Sequence, residues 1–175
     1  SFWENTPYQR PDAAPIPYDP AMAAQLLDEA GWVDSNGDGT RDKDGVELVL
    51  RYVTNQRQLR KDIQAIVQQE FEAAGVGVDI QNFDSDIFFA SYGEGGPVSI
   101  GEYDIAEYSA TSSFPDPDSS RFLCTQIPTD EKPDGENDTG LCLPELDALF
   151  AEQARTVDIN ARIAIFHQID QIMFE

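Results

Sequence analysis

Oxygen-bearing side chains crowd one short stretch of the chain. Asp34, Asn36, Asp38, Thr40 and Asp42 stand at alternate positions, with Gly39 at the sixth position of the run. A calcium loop needs this arrangement, because the backbone must turn sharply while hard oxygen ligands converge on one ion. The twelfth position, where such a loop supplies a bidentate Glu, is Gly45, and Glu47 falls two residues too late on a stretch that reads as a strand. The broken pattern favours a turn held by its own Asx side chains, with a calcium site as the alternative. No catalytic set accompanies it. His167 is the single histidine, beside Phe166 and near Asp170 on a helix-patterned stretch, the setting of a surface or core-edge residue rather than a base. With 33 acidic residues, pairs of carboxylates arise by number alone and do not point to a hydrolase. The run Gly93-Glu94-Gly95-Gly96-Pro97 lacks the Lys and Ser/Thr of a phosphate loop, and no Gly-x-Ser-x-Gly elbow occurs.

The elements around these residues alternate between two periods. Asp19 and Pro20 read as the N-cap and first position of a helix with Met22, Leu26, Leu27 and Ala30 at helical spacing, and Gly31 reads as its stop. An alternating strand is expected from Glu47 to Val53. A second helix is expected over 58–74 with Leu59, Ile63, Ile66, Val67 and Phe71 on its inward face, followed by a strand with Val76, Val78 and Ile80 inward. A short helix over 85–92, a glycine-rich turn and a strand over 103–108 come next. Two further helices close the chain: one opened by Pro144 and carrying Leu146, Leu149 and Phe150, and one capped by Asp158 with the stripe Ile159, Ile163, Phe166, Ile169 and Met173. Residues 1–17, punctuated by Trp3, Pro7, Pro11, Pro15 and Pro17, read as an extended lead-in laid over the rest. Strands alternating with helices give an α/β fold with helices packed on a sheet. The 175 residues fit a single domain.

Eleven Lys and Arg against 33 Asp and Glu leave a net charge of −22. Such a surface repels nucleic acid and anionic membranes, which need clustered cations. No apolar run approaches the ~20 residues of a membrane span.

Four stretches carry a likeness to a known family when taken in order. They are YDPAMAAQLLDEAGW with the GDG turn and VELVL; Gln64 to Ala74 with GVGVDI; YDIAEYSATSSFPDPDSSRF; and LPELDALFAEQARTVDINARIAIFHQIDQI. Together they resemble the second lobe of the family 5 extracellular solute-binding proteins, the oligopeptide, dipeptide and nickel receptors of ABC importers. The resemblance implies a periplasmic-binding-protein-like lobe in which helices pack on a mixed sheet, one of two lobes that close on a ligand. The start Ser1-Phe2-Trp3-Glu4 is neither an initiator Met nor a signal peptide, as expected of a piece cut from a longer protein. The implied role is an extracytoplasmic, monomeric, non-enzymatic substrate-binding component that captures a peptide or other small polar solute, docks on permease subunits and is compatible with a lipid anchor. The rival readings are a secreted calcium-stabilised hydrolase or a calcium-dependent interaction module.

Within this resemblance the candidate ligand residues are Tyr108, Ala110, Ser112, Ser113, Phe114 and Asp116, on a Ser-, Thr- and Pro-rich loop after a strand. In peptide-binding members this stretch carries an aspartate that neutralises the ligand's α-amino group, preceded by a tryptophan. Alignment on Asp116-Pro117 puts Ser113 at the first position and Ala110 at the second. Cys124 and Cys142 bracket a polar loop, 125–141, that cannot fold on its own apolar burial. A bridge across it is expected in an extracytoplasmic setting, two unpaired buried thiols being the alternative.

Overall fold

The computed structural model describes residues 3–109 and 117–174. By its internal contacts the chain separates into two compact units, one drawn from Ser1–Ile16 with Thr111–Glu175 and the other spanning Pro17–Ala110.

In the 17–110 unit, helix α1 (Pro20–Glu29) begins where the Asp19 carboxylate accepts the Met22 N–H at 2.9 Å. It ends in a Schellman turn: Trp32 N–H reaches the Leu27 carbonyl and Gly31 N–H the Asp28 carbonyl, both at 2.9 Å, with Gly31 at φ +85°. Strands β1 (Asp42–Lys43) and β2 (Val46–Glu47) form an antiparallel ribbon. Strand β3 (Val49–Asn55) is the centre of a parallel sheet, flanked by β4 (Gly77–Phe83) and β5 (Ile105–Glu107). The strand expected from Glu47 is thus divided. Leu48 N–H bonds the Arg41 carbonyl at 2.7 Å, and from Val49 onward the chain pairs with β4 instead. Helix α2 (Gln58–Ala73) crosses from β3 to β4, and α3 (Ser85–Phe88) follows β4. Val53, Phe88 and Val98 form the buried cluster, joined by Phe83, Tyr103, Ala106 and Tyr108.

The face that α2 turns inward is a correction to the sequence reading. Arg60 and Gln64 are its buried residues, whereas Leu59 and Ile66 are 71% and 62% exposed. The reason is hydrogen bonding. Gln64 gives its amide to the Tyr52 carbonyl at 3.1 Å and accepts from Asn82 Nδ2 at 2.6 Å, while Gln68 bonds the Val78 carbonyl at 3.3 Å. These side chains satisfy polar groups that burial would otherwise leave unpaired. Met22 and Leu26 of α1 are likewise exposed rather than buried.

The other unit contains α4 (Pro144–Gln153) and α5 (Ile159–Phe174), the latter capped as expected by Asp158, which accepts the Ala161 N–H at 2.8 Å. Leu146, Phe150, Ile165, Phe166 and Ile169 form its core. Residues 3–8 fold into turns instead of running extended, because two large aromatics there are core residues. Trp3 meets Phe166 edge-on at 5.0 Å and Tyr8 lies 4.4 Å from the same ring. The α5 stripe differs from expectation at one end, where Ile159 is exposed, and gains Ile165 and Asp170. Asp170 is nearly sealed and faces the Arg10 guanidinium at 3.5 Å. Cys124 and Cys142 are joined in a disulfide. Fully buried Asn137 donates to the Leu123 and Leu141 carbonyls at 3.0 and 2.8 Å, so one side chain holds both ends of the polar loop. No helix among the described residues is long and apolar enough to cross a membrane.

Candidate functional site

The parallel strands β3 and β5 run in one direction, so their C-terminal ends emerge at one edge of the sheet, where ligands of open α/β sheets bind. That edge is tightly tied. Thr54 Oγ1 donates to the Glu107 carbonyl at 2.6 Å, and buried Asn55 reaches Ser85 at the start of α3 at 3.2 Å. The Tyr52 hydroxyl donates to the Glu107 carboxylate at 2.7 Å. Burial first, and then that carboxylate, push the phenol well above its ordinary pKa, so Tyr52 stays a donor throughout the usable pH range. At the first turn of α2, Arg60 is 7% exposed and its Nη2 donates to Ser109 Oγ at 3.1 Å.

Of the candidate ligand residues, Tyr108 is half-buried and set edge-on to Phe88 and Phe89 at 6.3 and 5.7 Å, which makes it part of the aromatic cluster. Ala110, Ser112, Ser113, Phe114 and Asp116 lie outside the described residues.

The Asp34–Asp42 turn is a closed set of Asx bonds. Asp34 accepts the Gly37 and Gly39 N–H groups at 2.7 and 3.0 Å, Asn36 accepts that of Asp38 at 2.9 Å, and Asp38 accepts that of Thr40 at 2.8 Å. Asp42 takes both the N–H and the hydroxyl of Ser35. The Thr40 N–H, and next the Asn36 amide, hold the Asp38 carboxyl below its usual pKa. These side-chain oxygens serve the turn itself, and among the described residues no group of three or more His, Cys, Asp or Glu side chains is arranged to hold a metal. His167 is half-buried, its Nε2 3.2 Å from the Gln9 carbonyl.

Two surface depressions lie elsewhere. One of about 440 Å³, lined by Val49, Arg51, Asp79 and residues 101–104, sits toward the strand starts. The other, about 350 Å³, surrounds Arg41. Sequence reasoning missed the polar set Arg60, Gln64 and Gln68. The available signal was their spacing, four residues apart on one helix face.

This arrangement of parallel strands and crossover helix has relatives among known proteins. The model of the bacterial extracellular solute-binding proteins, family 5 Middle, matches residues 1–126, and the chain belongs to that family. Among individual members it is similar to the oligopeptide-binding protein AppA of Bacillus subtilis (strain 168), 41% identical over 71 residues, covering 40% of this chain and 13% of AppA. The solved AppA structure, in complex with a nonapeptide, superposes with a TM-score of 0.72 at 26% identity, over 94% of this chain and 32% of that one. The oligopeptide-binding protein OppA of Mycobacterium bovis is 28% identical over 161 residues, 91% of this chain and 25% of OppA. NikA from Brucella suis, solved in complex with Fe(III)-EDTA, superposes with a TM-score of 0.72 at 26% identity over 96% of this chain and 32% of that one. The chain therefore spans a third or less of the length of these relatives.

Proposed function

We propose that this chain forms one of two lobes of the substrate-binding component of an ABC importer. In this reading it works outside the cytoplasm as a monomer, hands a small polar solute to permease subunits, and is held at the membrane by an anchor elsewhere in the protein. The observation that carries the reading is the family match over residues 1–126, which includes the whole parallel sheet and its strand-end loop. Closure of two lobes on a solute draws its energy from contacts made only in the closed state. One lobe alone supplies part of those contacts while still bearing the full association entropy, so it binds far more weakly.

The solute class follows from position 113. A buried ammonium facing only a hydroxyl loses several kcal/mol relative to one facing a carboxylate. Ser113, between Ser112 and Phe114, fits a ligand without a free α-amino group at that point, such as a saccharide or an N-blocked peptide. Titration calorimetry of the full two-lobe protein against peptide and carbohydrate panels tests this, with Ser113→Asp in parallel. Tight binding of unblocked peptides by the unmutated protein, lost on N-acetylation, overturns the assignment.

A further inference from the structure

We propose that Asn36-Gly37 is a covalent self-modification site, at which the surrounding turn converts the asparagine to aspartate and isoaspartate through a cyclic imide. The inference stands apart from the solute-binding reading, which makes no use of the oxygen-rich Asp34–Asp42 turn. The chemistry needs a peptide nitrogen after the asparagine with open space around it, a base for that nitrogen's proton, a donor for the oxygen of the attacked amide, and water. Asparagine is a thermolabile residue, and Asn36-Gly37 is the only Asn-Gly pair of the chain. Both residues are exposed. Gly37, at φ +81°, has nothing within 4 Å of the place that a Cβ would take, so no side chain obstructs ring closure.

The Asx bonds of the turn supply the remaining groups. The Asp38 N–H donates to Asn36 Oδ1 at 2.9 Å, which folds the side-chain amide back over the Gly37 peptide between them. That donor is aimed at the oxygen on which negative charge develops during attack. The Gly37 N–H, the nucleophile, donates to the Asp34 carboxylate at 2.7 Å, and the leaving nitrogen, Asn36 Nδ2, donates to Asp38 Oδ2 at 2.8 Å. As the Gly37 nitrogen bonds to Asn36 Cγ, its proton passes to Asp34 and the carbonyl electron pair moves onto Oδ1. That pair then returns, the Cγ–Nδ2 bond breaks, and the nitrogen leaves as ammonia with the proton held by Asp34. Water opens the imide. Cleavage between Cγ and the ring nitrogen gives aspartate, and cleavage between the Asn36 main-chain carbonyl carbon and the same nitrogen gives isoaspartate. Either product places a carboxylate beside Asp38 where an N–H donor stood, so the turn loses a bond and gains like charge.

The test compares the folded chain with the same chain unfolded in guanidinium chloride, both incubated at neutral pH. Peptide mapping by mass spectrometry follows the change at Asn36, and labelling by an isoaspartyl methyltransferase measures the isoaspartate formed. The folded chain should react about tenfold faster than the unfolded one, below the usual range of general-base assistance because a carboxylate is a weak base at neutral pH. Asp34→Asn keeps an acceptor for the Gly37 N–H but cannot take its proton. It should fall to the unfolded rate while melting close to the unmutated chain. A folded rate equal to or below the unfolded rate means that the turn shields the pair, and it overturns the proposal. An Asp34→Asn chain that reacts as fast as the unmutated one overturns it equally. Should the turn not form in Asp34→Asn, the comparison of folded with unfolded chain decides alone, since it needs no variant.

Discussion

The α4–α5 interior of one unit and the α2 interface of the other are held by different physics. The core around α4 and α5 is aromatic and aliphatic, with Trp3 and Tyr8 on Phe166 and a covalent bridge between Cys124 and Cys142. Between α2 and the parallel sheet the buried contacts are instead amides, Gln64 to Tyr52 and Asn82, and a guanidinium on Ser109. The first kind of interior tolerates loss of shape badly, because a truncated ring leaves a cavity. The second tolerates loss of hydrogen-bonding capacity badly, because each removed partner strands another polar group. An interior at the strand-end edge, where the proposed solute site lies, has reason to be of the second kind, since directional bonds fix the orientation of strand-end groups in a way that apolar contacts do not.

Four substitutions or treatments sharpen the contrast, and one tryptophan in each unit, Trp3 and Trp32, allows each to be followed by fluorescence. Phe166→Ala should have the largest effect, about 3–5 kcal/mol in urea denaturation of a Trp32→Phe background, where Trp3 is the reporter. A loss under ~1 kcal/mol would mean that the aromatic cluster is not what holds that unit. Replacing both Cys124 and Cys142 by Ser should cost about 3 kcal/mol for a loop of this length, and thiol titration of the denatured, unreduced protein should find no free cysteine. Gln64→Leu, which adds apolar surface, should nonetheless destabilise the other unit by about 1–3 kcal/mol, because the Tyr52 carbonyl and the Asn82 amide lose their partner. A neutral or stabilising result would place that interior in the same class as the first. Smallest of all, millimolar calcium against chelator should leave the melting temperature nearly unchanged, since the Asp34–Asp42 oxygens already accept backbone N–H groups. A rise above ~10 °C would correspond to several kcal/mol of linked binding and reveal a specific site.

Features fixed by local chemistry were legible in the sequence. Asp19 with Pro20, the Gly31 stop, and Asp158 all act within a few residues of themselves, and each sits where the pattern placed it. The inward face of α2 was not legible in the same way. Counting apolar residues chose Leu59, Ile63 and Ile66, because a period count treats Gln and Arg as solvent-facing. In the fold, the carbonyls of Tyr52 and Val78 recruit Gln64 and Gln68 from the opposite side of the helix. The division of the expected 47–53 strand had a similar cause, since Leu48 answers to Arg41, a partner that no local pattern reveals. As for the candidate site, Tyr108, expected as the last residue of a strand over 103–108, follows β5 and faces an aromatic cluster, while Arg60 passed unnoticed as one more helix cation.

Arg41 joins pieces of chain that sequence distance keeps apart. Its Nε donates to the Ala74 carbonyl at the end of α2 at 2.8 Å, its Nη1 reaches both the Trp32 carbonyl past the end of α1 and the Asp28 carboxylate, and its own backbone bonds Gly75 and Leu48. The fit is close enough that a Cβ on Gly75 would stand 2.9 Å from Arg41 Cγ. Two helix ends that would ordinarily fray one by one are therefore fastened to a single side chain, so they open together or stay closed together. In native-state hydrogen exchange, the Gly31, Trp32, Gly75 and Val76 amides should share one opening free energy, and Arg41→Ala should release all four at once, although the two pairs lie more than forty residues apart in the chain.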